Sequence, residues 1–119
     1  MKINGEARIL RIYTSNTDKF KHNLLYETIV FAAKRYGLAG ATVLKGVMGF
    51  GSSSIIHSVK FWEITEKIPV VIEVIDEAEK IEKFAAKILP WFEKLRYGCL
   101  ITVEKTEVLL YKKGKKTFF

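Results

Sequence analysis

One cysteine, two histidines and two prolines are all that 119 residues supply of these types. With Cys99 alone, no intramolecular disulfide and no thiolate metal cluster can form. His22 and His57 are too remote in sequence to make a metal-ligand spacing, so no metal site is expected. Long apolar runs are also missing: none approaches the roughly 18 to 20 residues that cross a bilayer. No signal-peptide core comes after Met1-Lys2-Ile3-Asn4-Gly5-Glu6, and a cytoplasmic protein is expected. Nor does any Gly-Lys-Ser/Thr close a glycine run at the spacing of a Walker loop, which excludes the ordinary NTPase. The acidic pairs Glu63 with Glu66 and Glu77 with Glu79 lie in charge-rich surface sequence, and no nucleophile has both a base and an orienting group. No catalytic residue and no covalent cofactor is therefore expected.

Linkers, internal repeats and low-complexity segments are absent too, and residues 1–119 read as a single domain with one core. A hydrophobic share of 49% with 28% charged residues is ordinary for a globular chain. The formal charge of +7 favours anionic partners without choosing among them. Lys112, Lys113, Lys115 and Lys116 concentrate part of it near one end, as a solvated tail or an anion contact. Cys99, between Gly98 and Leu100, is expected to pack as a small apolar residue.

Periodicity gives six main elements. Glu6 to Thr14 carries apolar residues on both parities and reads as a central strand. Ser15-Asn16-Thr17-Asp18 is a turn cluster holding several possible helix caps. Leu25, Ile29, Ala32 and Tyr36 share one helical face, and Gly37 would end that helix. Ala41 to Met48 is strand-like, and Phe61-Trp62-Glu63-Ile64 is a short strand or a loop anchor. Pro69 to Asp76 is β-branched almost throughout, with Asp76 placed to cap the helix after it. Ile81, Phe84, Ala85 and Ile88 form the stripe of that second helix over Glu77 to Leu89, which Pro90 must kink or restart. Leu100 to Glu104 begins a last strand that runs through Val108 to Tyr111.

Strand, helix, strand, strand, helix, strand is the order of an α+β ferredoxin-like βαββαβ sandwich, with an antiparallel sheet and both helices on one face. Apolar residues on both parities of Val70 to Ile75 imply that the other face is covered as well. A second copy of the chain is the simplest cover, so a homo-oligomer is expected.

The segment that points to chemistry is Gly40-Ala41-Thr42-Val43-Leu44-Lys45-Gly46-Val47-Met48-Gly49-Phe50-Gly51-Ser52-Ser53-Ser54. Glycines permit positive φ and close approach to the main chain, and serines with bare N–H groups suit an anion. The bland alternative is a tight turn and nothing more. Glu73 within an apolar strand needs a partner; a lysine across a subunit boundary and a ligand both qualify. His57 reads as a surface or hydrogen-bonding residue, and Phe61, Trp62, Trp91 and Phe92 as packing residues.

The run Leu38 to Gly51, together with Leu25-Tyr26-Glu27, Ile56-His57-Ser58, Pro69-Val70-Val71-Ile72-Glu73 and Asp76, resembles the PII signalling proteins and, over nearly the whole chain, the PII-like families of undefined function. The resemblance implies a homotrimer that binds an adenine nucleotide (ADP, AMP, cyclic AMP or ATP) between subunits. It also implies a loop, here residues 49–65, that changes shape with the ligand and docks on a target protein, a membrane transporter being one candidate. Carried over, Gly40, Ala41 and Thr42 would face adenine and ribose, and Glu73 would close the base pocket. Gly49, Phe50, Gly51, Ser52 and Ser53 would form a loop root meeting phosphate, with Lys112 and Lys113 as basic phosphate contacts late in the last strand.

Two departures stand out. Where PII proteins carry a Gly-Asp-Gly-Lys-like turn, this chain has Arg96-Tyr97-Gly98-Cys99-Leu100, which favours a diphosphate, monophosphate or cyclic nucleotide over a triphosphate. Residues 49–65 hold no tyrosine, so the family's nucleotidylation switch has no acceptor there. Three other readings compete. An RNA-binding ferredoxin-like domain needs stacking aromatics on the first and third strands, and Tyr13 stands alone. A trimeric metal-tolerance protein is opposed by the shortage of Cys and His. A protein-interaction scaffold without nucleotide is the third.

Overall fold

The computed structural model describes residues 5–51, 55–58 and 67–114. Their order is β1 (Gly5–Ser15), β2 (Lys19–Phe20), β3 (Asn23–Leu24), α1 (Leu25–Arg35), β4 (Gly40–Lys45), β5 (Met48–Gly49), β6 (His57–Ser58), β7 (Pro69–Asp76), α2 (Ala78–Glu93) and β8 (Leu100–Val108). The four long strands make one antiparallel sheet in the order β4-β7-β1-β8, so β1 is central as its two-sided apolar pattern predicts. Two short pairs, β2 with β3 and β5 with β6, decorate it.

Both helices lie on one face of the sheet. Leu10 and Ile12 of β1, Ile72 and Val74 of β7, Leu25, Ile29, Ala32 and Ala33 of α1, and Ile81, Phe84, Ile88 and Phe92 of α2 form one buried cluster. The predicted stripes hold with one exchange: Ala33 is buried, whereas Tyr36 is exposed and meets Phe84 edge-on. Strand β7 alternates half-buried and buried along its length. Its odd positions Val71, Glu73 and Ile75 lie with Ile9, Arg11 and Tyr13 of β1 on the face that no helix covers.

Helix α1 ends as its glycine predicts. Gly37 adopts φ +74, its N–H bonds to the Lys34 carbonyl, and the Leu38 N–H reaches the Ala33 carbonyl. Those two bonds are a Schellman closure. The start of the helix differs from expectation. Its N-cap is Leu24, without a side-chain cap bond, because the chain first makes the β2–β3 pair. Lys21 and His22 turn that pair with positive φ, unusual for residues other than glycine. Asp18 is buried instead of capping, and only its main-chain carbonyl accepts the Leu25 N–H.

Four further expectations are corrected. Helix α2 runs through Pro90 to Glu93. A proline forfeits the hydrogen bond of its own missing N–H, and here burial of Phe92 and stacking of Trp91 on Phe20 at 5.4 Å hold the turn beyond it. Asp76 does not cap α2: Glu77 is the N-cap residue, and Asp76 accepts from the Glu77 and Ala39 amides. The last strand stops at Val108, short of Tyr111, so Lys112 and Lys113 lie beyond it and are exposed. The strand-like run from Ala41 is likewise broken at Lys45 and resumes as β5. The segment Phe61-Trp62-Glu63-Ile64 lies outside the described residues.

Candidate functional site

Strand β4 is an edge strand that pairs with β7 alone, leaving half of its main-chain groups facing outward. Its entry is set by Asp76, whose buried carboxylate takes the Ala39 N–H at 2.9 Å and the Glu77 N–H at 2.6 Å. One side chain thus ties the turn before β4 to the start of α2. Gly40, Thr42 and Leu44 come next on the face opposite the helices, whereas Ala41 and Val43 turn toward them and pack against the core. Thr42 stands directly opposite Glu73 in the register.

Within the single chain Glu73 already has a partner that the sequence did not indicate. Arg11 Nε donates to its Oε2 at 2.8 Å, and the same guanidinium bonds Glu104 on the far side of β1. Bonds to Glu73 and then to Glu104 push the Arg11 pKa further above its ordinary value. Three strands are thereby bridged by one cation between two carboxylates. Nothing in the local sequence signals this, because Arg11 and Glu73 become neighbours only when β1 and β7 pair.

Beyond β4 the chain forms the root of the loop. The Gly46 N–H donates to the Pro69 carbonyl at 2.8 Å. A Cβ on Gly46 would come within 2.8 Å of Pro69 Cγ, and one on Gly49 within 3.3 Å. Close approach to a proline ring, not positive φ, is what these glycines supply. Gly40 and Gly51 have open space around a Cβ and no left-handed backbone. Met48 and Gly49 then pair with Ser58 and His57, so the loop leaves the sheet as a β-ribbon. Val47, Met48, Phe50, Ile55 and Ile56 are all exposed along it. Ser52 and Ser53 lie outside the described residues.

The structure therefore brings Gly40, Thr42 and Glu73 onto one face across β4 and β7, turns the Ala41 side chain to the other face, and places Gly49, Phe50 and Gly51 at the ribbon that follows β4. It does not bring Lys112 or Lys113 onto a strand. Two shallow cavities, of about 280 and 300 Å³, lie along the outer side of α1. Phe31 and Glu27 line both, and no expected nucleotide residue lines either. Among the described residues no three of His, Cys, Asp and Glu gather as a metal site, and no helix is long and apolar enough to cross a membrane.

A second cluster sits where β1 ends and β7 begins, and sequence reasoning missed it. Asn16 binds Ile68 twice: its N–H donates to the Ile68 carbonyl at 3.1 Å, and its Oδ1 accepts the Ile68 N–H at 2.8 Å. Beside them Asp18 Oδ2 accepts from Thr14 Oγ1 and the Ser15 N–H. Lys67 Nζ lies 3.7 Å from Asp18 Oδ1 and 5.8 Å from the centre of the Tyr97 ring. Cys99 is exposed, against the expectation that it packs inside. Partial burial first and the Asp18 charge second still push its thiol pKa up.

A split βαββαβ sheet with a ribbon rising from its edge strand defines a PII-like fold. Among solved structures, CPII from Thiomonas intermedia K12 bound to ADP and bicarbonate matches at a TM-score of 0.64, with 18% identity over 90% of this chain and 93% of that one. A PII-like signaling protein of Thermus thermophilus matches at 0.61, with 18% identity over 87% and 89%. Residues 7–108 match DUF190, a family of uncharacterized ACR proteins, and the chain belongs to that family. A UPF0166 protein of Aquifex aeolicus is 37% identical over 104 residues, covering 87% of this chain and 94% of the relative. One from Methanocaldococcus jannaschii is 34% identical over 107 residues, covering 90% and 94%.

Proposed function

We propose that this protein is a homotrimeric regulator that binds an adenine nucleotide between subunits and uses residues 49–65 to act on a partner protein. The observation that carries the reading is the loop root. An edge strand presenting Gly40 and Thr42 beside Glu73 leads through Gly46 and Val47 into a glycine-rooted ribbon wedged on Pro69. A ligand seated there would touch the sheet and the ribbon at once. The CPII structures with ADP, and with ADP and AMP, make a nucleoside diphosphate or monophosphate the first candidate.

Neither of the two cavities along α1 is lined by those residues, which fits a cleft completed by a second copy. The uncovered sheet face supplies the contact: Ile9, Tyr13, Leu44, Val71, Ile75 and Leu100 frame the Arg11 bridge there. Signalling proceeds by population shift, the nucleotide favouring the ribbon conformation that holds its phosphates and the partner reading which conformation is present. Gly40, Ala41, Thr42, Gly49, Phe50, Gly51, Ser52, Ser53 and Glu73 are the proposed contacts. Lys112 and Lys113 are retained as contacts that reach the phosphates from beyond β8. No catalytic step is assigned.

The exposed apolar ribbon equally fits a scaffold that docks a protein without nucleotide. Thermal stabilisation of nucleotide-stripped protein by ATP, ADP, AMP and cyclic AMP, with calorimetry on each that shifts the melt, separates the two. At about 100 times the dissociation constant, linkage gives about 2.7 kcal/mol per site, a shift of several degrees. No shift with any of them selects the scaffold.

A further inference from the structure

Lys67 is the described residue at which the chain returns from the loop to the sheet, and its ammonium group is held loosely on a buried acid. The 3.7 Å separation from Asp18 Oδ1 is too long for a hydrogen bond. Asp18 has a side chain only 3% exposed, and Oδ1 has no hydrogen-bond partner. Its other oxygen is already committed to Thr14 and Ser15. A buried carboxylate oxygen without a donor is costly, so Oδ1 draws the nearest cation by charge. The Tyr97 ring takes the other side of that cation.

The backbone that follows Lys67 is held at two successive residues. Ile68 is pinned by Asn16 through two hydrogen bonds, and Pro69 is pinned against Gly46. The Lys67 side chain is nevertheless 45% exposed. It stands two residues from the proline on which the loop root is wedged, about 7 Å of extended chain. It also stands over Tyr97, in the turn between α2 and β8.

We propose that Lys67 is a phosphate-binding residue with two positions, resting on Asp18 and Tyr97 when the site is empty and moving onto the phosphates of a bound nucleotide when it is filled. This rests on the nucleotide reading above and adds a regulation to it. Phosphate offers more charge than one carboxylate and several acceptor oxygens. Withdrawal of Lys67 leaves Asp18 without its cation, so affinity is lowered by the cost of freeing the lysine. Occupancy of the phosphate site is thereby linked to the contact between the loop's return end and the β1 turn.

Calorimetry on the full-length protein with ADP, and with inorganic pyrophosphate as a probe of phosphate chemistry alone, tests this in three variants. Lys67→Gln should weaken binding of both by about 10-fold or more, the scale of a lost charged hydrogen bond. Asp18→Asn should tighten binding by about 5-fold or more, the scale of an ordinary coupling between sites. Tyr97→Leu should tighten it in the same direction, and it serves if Asp18→Asn does not fold. Equal binding by wild type and Lys67→Gln overturns the role of Lys67 and leaves the nucleotide reading intact. A weakened Lys67→Gln with no tightening in either other variant overturns the resting position. Silence in wild type with binding in Asp18→Asn contradicts the nucleotide reading for the native chain and supports the held lysine. Silence in wild type and every variant overturns both.

Discussion

Arg11 and Glu73 are register partners on adjacent strands, joined by a 2.8 Å hydrogen bond on the sheet face that no helix covers. Because Glu104 shares the guanidinium, removing Arg11 leaves two carboxylates facing each other with no cation between them. Arg11→Ala should therefore lower the melting temperature more than Glu73→Ala, and the double variant should recover part of the loss. Melting curves at low and high salt check this, because screening weakens the penalty of the two bare carboxylates. Equal melting of all three variants would contradict the bridge.

Gly46 and Gly51 should respond unequally to the same substitution. A methyl at Gly46 would meet Pro69 Cγ at 2.8 Å, whereas one at Gly51 meets nothing within 4 Å. Gly46→Ala should destabilise by about 1 to 3 kcal/mol as overpacking does, and Pro69→Ala should relieve it. Gly51→Ala should melt within about 0.5 kcal/mol of wild type, as surface changes do. Denaturant titration of the four proteins measures both.

Cys99 reports the charge balance of the Asp18 cluster. Its thiol pKa lies above the ordinary 9.0, through partial burial and then Asp18. Removing the negative charge in Asp18→Asn should lower that pKa. Iodoacetamide labelling at pH 8 should accordingly be faster in that variant than in wild type, since the thiolate reacts. The same shift sets a stability window. A group whose folded pKa is raised contributes stability that is complete below its unfolded value and lost as pH rises through the folded one. Unfolding should thus become easier above pH 9, and a Cys99→Ser variant should lose that part of the dependence.

Core truncation should be costly on the helix side alone. Ile72 is fully buried between the helices and β1, and Ile72→Ala should cost about 2 to 5 kcal/mol. Val71 is only half-buried in one chain. Val71→Ala should cost the isolated fold little yet weaken self-association, which sedimentation at several concentrations distinguishes.

Much of the fold was readable because its signals are local. The β-branched run Pro69–Asp76, the stripe Ile81, Phe84, Ile88 and the closure at Gly37 each arise from neighbouring residues. What escaped depends on contacts distant in sequence. Pro90 stays helical because Phe92 and Trp91 find partners elsewhere in the fold. Asp76 serves Ala39, which lies 37 residues away. Arg11 with Glu73, and Asp18 with Lys67, are joined only by strand pairing. Of the site, the β4–β7 face and the ribbon root were legible through glycine spacing and resemblance. The reason for the glycines was not, since Gly46 and Gly49 answer to the ring of Pro69.

The most direct measurement is hydrogen exchange of the nucleotide-stripped protein with and without saturating ADP, read at Met48, Gly49, His57 and Ser58 and at Gly40 to Thr42. Those amides span the ribbon and the edge strand that lead into the proposed cleft. The account predicts that ADP changes protection at both places together, because one ligand touches both. Unchanged exchange at all of them would contradict a nucleotide-responsive loop.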